Sequence, residues 1–208
     1  MIMRQSRCLF ISSLLLALFV SNISFAVEPG FYMGMNALSG AANADDVTDK
    51  GNNSTTYEPD GNSLSGGGFI FGYTTSEHFS MELAADALTD VDYTTTSGSD
   101  TASRSQYIIY LAAKPMIPVT KKLNLFARLG LGYMRANIDF NASGGDNYSE
   151  GELSAYGALG LSYTPTPSLE ISLGYNQLSN NEGDLQYGSL EFTHHFITAR
   201  DQAGFLID

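Results

Sequence analysis

From Gly30 onward the apolar and polar residues alternate with a period of two, the signature of β-strands half-exposed to different solvents. The stretch Phe79–Leu88 shows it most clearly: Phe79, Met81, Leu83, Ala85 and Ala87 share one face, and Ser80, Glu82, Ala84 and Asp86 share the other. Between Leu123 and Ala136 one face carries Leu123, Leu125, Ala127, Leu129, Leu131 and Tyr133, against Asn124, Phe126, Arg128, Gly130, Gly132 and Met134. Leu169, Ile171, Leu173 and Tyr175 likewise oppose Glu170, Ser172, Gly174 and Asn176. In all, the pattern predicts strands at Gly30–Leu38, Ser65–Tyr73, Phe79–Leu88, Gln106–Pro118, Leu123–Ala136, Glu152–Tyr163, Leu169–Leu178 and Leu185–Phe196. A tilted strand crosses a bilayer in about 9–11 residues, and each of these is long enough.

Alternation alone does not say which face looks outward, but the connections do. Ser39–Leu64, Thr89–Arg104 and Asn137–Gly151 read as long polar loops and Ser179–Asp184 as a moderate one. Thr74–Glu77, Val119–Lys122 and Thr164–Ser168 read as tight turns, the last stiffened by Pro165 and Pro167. Long loops at one end and short turns at the other are the habit of outer-membrane barrels. The polar face, rich in Gly, Ser and Asn with isolated charges of both signs, then turns inward. Glu82, Asp86, Lys114, Arg128, Glu170 and Glu191 are expected to neutralise one another there, because an unpaired buried charge costs several kcal/mol, roughly. Lipid tolerates no open strand edge, so the last strand must bond to the first. The fold expected is all-β: an eight-stranded antiparallel transmembrane up-and-down barrel, with both termini at the short-turn, periplasmic end. Tyr73, Phe79, Tyr163 and Phe196 fall at that rim and Tyr107, Tyr133 and Tyr175 near the other, as aromatic belts would.

The first 26 residues follow a different pattern. Arg4 and Arg7 precede the apolar run Leu9–Val20, and Ser24-Phe25-Ala26 offers a cleavage site, so residues 1–26 are expected to be a removed signal peptide. Cys8, the sole cysteine, lies within it, which leaves 27–208 without a disulfide or thiolate metal site. The whole chain carries a net charge of −12, and both leader arginines are lost on cleavage. So acidic a chain does not seek nucleic acid, heparin or an anionic surface.

With strands and charges placed, the chain resembles the transmembrane domain of the outer-membrane-protein-A type and the related opacity-like small barrels. The resemblance is carried by Gly30-Phe31-Tyr32-Met33-Gly34, by the run Gly66 to Tyr73, by Met81-Glu82-Leu83 and by Ala112-Ala113-Lys114-Pro115. It continues in Leu125-Phe126-Ala127-Arg128-Leu129-Gly130 and in the closing strand from Ser189 to Phe196. It covers 27–196, leaving 197–208 as a short periplasmic tail in place of the family's peptidoglycan-binding domain. It implies a barrel plugged by an interior Glu, Lys and Arg, for which Glu82, Lys114 and Arg128 are the counterparts. Ser162 stands where a further interior Glu is expected, and Glu170 or Glu191 would substitute. It also implies lipopolysaccharide and outer-membrane lipid as surroundings and the β-barrel assembly machinery as a folding partner. Assembly machinery reads a terminal aromatic, and here the tail follows Phe196.

Candidate chemistry changes this picture little. A Ser-His-acid site for remodelling lipid needs access to the outer leaflet, whereas His78, His194 and His195 all fall at the short-turn end; no enzyme is expected. His194 reads as an interface residue and His195 as an inward polar one. Loop carboxylates cluster at Asp45, Asp46, Asp49, Glu58 and Asp60, at Asp90, Asp92 and Asp100, and at Asp139, Asp146 and Glu150. They lack the spacing of a calcium loop, so solvated charge is expected, with no metal and no cofactor. The expected function is that of a monomeric structural barrel, adhesin-like, whose loops meet a host-surface or environmental ligand. A low-conductance pore is the alternative.

Overall fold

In a computed structural model of the chain, the structure describes residues 29–42, 47–48, 56–61, 63–95, 101–141, 147–180 and 183–196. The expected leader (1–26) and tail (197–208) lie outside them. The strands are β1 (Gly30–Ala42), β2 (Val47–Thr48), β3 (Thr56–Pro59), β4 (Ser63–Ser76) and β5 (Phe79–Thr95). They continue as β6 (Thr101–Pro118), β7 (Leu123–Phe140), β8 (Tyr148–Thr166), β9 (Leu169–Asn180) and β10 (Gly183–His195).

The eight long strands form an antiparallel ring in chain order, closed by β1 against β10. Eleven residue pairs, from Tyr32↔His195 to Ala42↔Leu185, make that seam. Phe196 N–H donates to the Phe31 carbonyl at 2.9 Å just below it. No edge is left in the ring, which is what hydrocarbon surroundings require. The two-stranded β2–β3 piece is additional to the ring of eight: β3 pairs with the loop end of β5, beyond the part of β5 that pairs with β4.

The short turns are built from side-chain oxygens that take over the backbone's unmet donors. Ser76 Oγ accepts from His78 N–H at 3.3 Å, and Thr120 Oγ1 accepts from Lys122 and Leu123 N–H at 3.2 and 3.0 Å. Neighbouring turns are tied together: Thr164 N–H donates to the Lys122 carbonyl at 2.8 Å, and Lys122 Nζ donates to the Pro165 carbonyl at 3.3 Å.

One correction to the sequence reading concerns the loop end. Thr89–Arg104 and Asn137–Gly151 are mostly strand, not loop, since β5 runs to Thr95, β6 starts at Thr101, β7 runs to Phe140 and β8 starts at Tyr148. Ser39–Leu64 contains the end of β1 and the small strands β2 and β3, and Ser179–Asp184 contains the end of β9 and the start of β10. Polar alternation concealed these extensions. Above the membrane the outer face is wetted, so Ser103, Ser105, Asn137 and Asp139 replace the apolar residues that mark a strand lower down. A bulge between Leu88 and Val91 adds to the disguise by moving the inward positions of β5 from even to odd numbers. The described parts of the expected loops thus form a sheet wall standing beyond the lipid-facing band.

That band is plain from exposure. Met81, Leu83, Ile109, Leu111, Leu125, Leu129, Leu131, Leu159 and Leu173 all lie on the outside, Leu129 at 66%. A water-soluble protein rarely shows apolar patches beyond a few hundred Å², roughly, and here they encircle the molecule. Leu123 to Tyr133 on β7, at ~3.3 Å per residue and the usual tilt, spans about 25 Å, the height of a bilayer's apolar zone. Among the described residues no helix is long and apolar enough to cross a membrane; this chain crosses with strands.

Candidate functional site: the lumen and its ion cluster

The inward positions of β5 to β10 bring the charged side chains into one cluster. Arg128 on β7 is fully buried and grips two carboxylates. Its Nη1 and Nη2 donate to Glu191 Oε1 and Oε2 at 2.7 and 2.6 Å. Its Nε donates to Glu82 Oε2, and Nη2 also reaches Glu82 Oε1 at 3.3 Å. Two forked contacts use the planar donor geometry that only arginine offers. Lys114 on β6 sits 3.1 Å from Glu82 and 3.0 Å from Glu170, so Glu82 is shared by both cations.

The remaining acceptor sites are met by hydroxyls. Tyr32 donates to Glu82 at 2.7 Å, Ser172 to Glu170 at 3.0 Å and Ser189 to Glu191 at 2.9 Å. His195 Nε2 lies 3.3 Å from the other oxygen of Glu170. Phe126 is wedged against both cations, its ring centre 4.9 Å from Lys114 Nζ and 4.7 Å from Arg128 Cζ. The ring's negative face supplements the carboxylates within this buried cluster. Phe126 fits because Gly160 stands opposite: a Cβ there would collide with the Phe126 ring and with the Leu173 carbonyl. Gly160→Ala is therefore expected to destabilise the barrel by about 1–3 kcal/mol through overpacking, read as a lower urea midpoint in lipid vesicles.

Of the six charges expected to form this network, five meet: Glu82, Lys114, Arg128, Glu170 and Glu191. Asp86 does not. It accepts from Asn36 Nδ2 at 2.8 Å and from the Tyr187 hydroxyl at 3.4 Å, so amide and phenol take the place of a cation. Its inward direction was readable from alternation; its height relative to Arg128 was not. At Ser162, where the resemblance leads one to expect a glutamate, the hydroxyl is buried without a hydrogen-bond partner. Glu170 on β9 and Glu191 on β10 are the carboxylates that reach the cations.

The expectation of a polar lumen needs a second correction. Toward the loop end the interior is filled by Tyr57, Ile70, Tyr93, Ile108, Tyr110 and Leu178, none of which was singled out in the sequence. The signal that could have found them was hidden by runs such as Ile108-Ile109-Tyr110-Leu111, in which both faces are apolar and alternation disappears. Tyr110 and Tyr156 stack at 4.0 Å between ring centres.

The belt residues Tyr73, Phe79, Tyr107, Tyr133, Tyr163, Tyr175 and Phe196 all sit on the outer surface. Phe31, at 4.8 Å from Tyr73, joins the lower set. The histidines each have a structural neighbour: His78 lies 3.6 Å from Glu77, His194 packs edge-on against Phe196, and His195 faces the lumen beside Glu170. Among the described residues no group of His, Cys, Asp or Glu is arranged to hold a metal ion. Of the acidic residues assigned to loops, Glu58, Asp90, Asp92, Asp139 and Glu150 lie on strands and Asp60 just beyond β3. Asp45, Asp46, Asp49, Asp100 and Asp146 lie outside the described residues.

A closed ring of eight strands, apolar outside and holding buried ion pairs within, defines a small integral barrel of the bacterial outer membrane. The comparisons agree: residues 10–196 match the family model described as outer membrane protein beta-barrel domain, and the chain belongs to that family. It is an integral barrel of the outer membrane. It is 32% identical over 135 residues to outer membrane protein A of Shigella flexneri, a match covering 64% of this chain and 37% of that protein. Among solved structures it is similar to Ail, the attachment invasion locus protein of Yersinia pestis, at 15% identity and TM-score 0.53, covering 81% of this chain and 100% of that one. The N-terminal barrel domain of Pseudomonas aeruginosa OprF gives 14%, TM-score 0.52, 81% and 100%. Neisserial surface protein A gives 18%, TM-score 0.50, 80% and 97%. At such identities these structures speak for the fold alone.

Proposed function

We propose that the protein is a monomeric structural barrel whose loop-end wall is an interaction surface, adhesin-like in role, with cationic or neutral partners. The observation that supports it is a division of labour along the barrel. The lumen is occupied by side chains, while β5 to β8 continue past the lipid-facing band as a polar wall. Surface segments held on a rigid scaffold are where binding usually resides. A solved structure of Ail holds the heparin analogue sucrose octasulfate, which suggests attachment as the general role. The charge here argues for a different ligand. Asp92 and Asp139 are exposed on the wall, with Glu58 and Asp60 beside them, and Arg135 is the one basic side chain on its outer face among the described residues. A polysulfated chain would be repelled. In this reading residues 1–26 are the leader removed on export, residues 27–196 are delivered to the assembly machinery, and lipopolysaccharide surrounds the upper belt.

The test is retention of cells that display the chain on polylysine-coated and on heparin-coated surfaces. Retention should be greater on polylysine, and combined Asp92→Asn, Asp139→Asn and Glu58→Gln should lower it by about threefold, with salt doing the same. Preference for heparin, or retention no different from cells lacking the protein, would rule the reading out.

A further inference from the structure

Besides the ion cluster, the interior carries buried side chains of a different kind. The buried apolar side chains form one contiguous cluster to which every one of the eight barrel strands contributes, reaching from Tyr32 beside Glu82 toward the loop end. Its middle is Leu178, Ile108, Tyr110 and Tyr156, at 0%, 0%, 2% and 3% exposure. Leu178 crosses the lumen from β9 to Gly132 on β7, two strands away. A Cβ on Gly132 would lie 2.6 Å from Leu178 Cδ1, with the Cβ atoms of Tyr110 and Tyr156 at 3.7 and 3.8 Å. The missing side chain at Gly132 is thus the socket that Leu178 fills, and the stacked tyrosines wall it in. The hydroxyls of Tyr156 and Tyr187 point away to Asn176 at 2.7 Å and Asp86 at 3.4 Å, leaving their rings to the apolar side.

We propose that the permeability barrier of this barrel is this apolar layer around Leu178, Tyr110, Tyr156 and Ile108, and not the ion cluster beneath it. Water or an ion passing the cluster meets groups that hydrogen-bond and exchange partners, so its loss of hydration is partly made good. The side chains of Leu178 and Ile108 and the rings of Tyr110 and Tyr156 offer it far less in return, and narrow apolar constrictions exclude water. Every one of the eight barrel strands also contributes an apolar side chain to the cluster that contains this layer. The inference concerns the lumen and does not depend on the surface-binding role.

The experiment is ion flux through the full chain in planar bilayers and proteoliposomes, with three proteins compared. The double variant Leu178→Ser/Tyr110→Ser opens the layer and spares the ion cluster. The triple variant Glu82→Gln/Arg128→Met/Glu191→Gln removes most of the cluster without leaving an unbalanced charge. Each must keep the shift in gel mobility on heating that marks a closed barrel, and Leu178→Ala replaces the double variant should that one fail to fold. The expected result is a rise in flux of tenfold or more for the layer variant, and no rise over the unaltered protein for the cluster variant. A rise in the cluster variant, no rise in a folded layer variant, or steady conductance by the unaltered protein would each overturn the proposal.

Discussion

Replacing Arg128 by alanine is expected to destabilise the barrel by about 3–5 kcal/mol, the range seen when one partner of a buried ion pair is removed. The size follows from what remains. Glu82 and Glu191 would face each other in a dry interior, their forked donors gone and only Lys114 left to serve Glu82 and Glu170. Carboxylates so placed must take up protons or draw in water, and either loosens the strands that hold them. Urea unfolding in lipid vesicles, followed by tyrosine fluorescence or gel mobility, reads the loss. The triple variant Glu82→Gln/Arg128→Met/Glu191→Gln should recover much of it, because the two glutamines can both donate and accept hydrogen bonds and no lone charge stays buried. If Arg128→Ala unfolds at the same urea concentration as the parent, the cluster contributes nothing to stability.

Leu129→Arg tests the outside in the same way and should cost about 2–4 kcal/mol, the penalty for a cation on the lipid face near the bilayer midplane. Leu129 lies midway along β7 between Leu123 and Tyr133 and is among the most exposed apolar side chains. Asp139→Arg is the control. It stands on the same face of the same strand, beyond Tyr133 and above the band, where the cost should fall to about 0–1 kcal/mol. Equal effects at the two sites would mean that lipid does not solvate the Leu129 stripe. The contrast matters more than either number, since both variants place an arginine on the same face of the same strand at different depths.

The two substitutions also mark where the sequence is informative. Leu129 and Arg128 are neighbours in the chain, and the period-two pattern assigns them to opposite faces without any structure, because adjacent side chains on a strand must diverge. The same rule turned Glu82, Asp86, Lys114, Glu170 and Glu191 inward and the belt aromatics outward. Strand number and the short turns could be read from Pro, Ser and Thr at their ends. The wall at the loop end could not, because alternation loses its apolar half once water bathes the outer surface, as at Ser103, Ser105 and Asn137.

By itself, then, the sequence determined the sidedness of nearly every strand residue, the closed ring that lipid demands, and the acidity of the surface. Only the tertiary structure decided which inward residues share a height. Alternation carries no information about stagger between strands, and stagger is what brings Arg128 to Glu191, separated by 63 residues, while it leaves Asp86 to Asn36 and Tyr187. It decided as well that Leu178 finds the gap at Gly132 across an intervening strand. A socket of that kind is the product of two side chains and the curvature between them, and no single stretch of chain contains it.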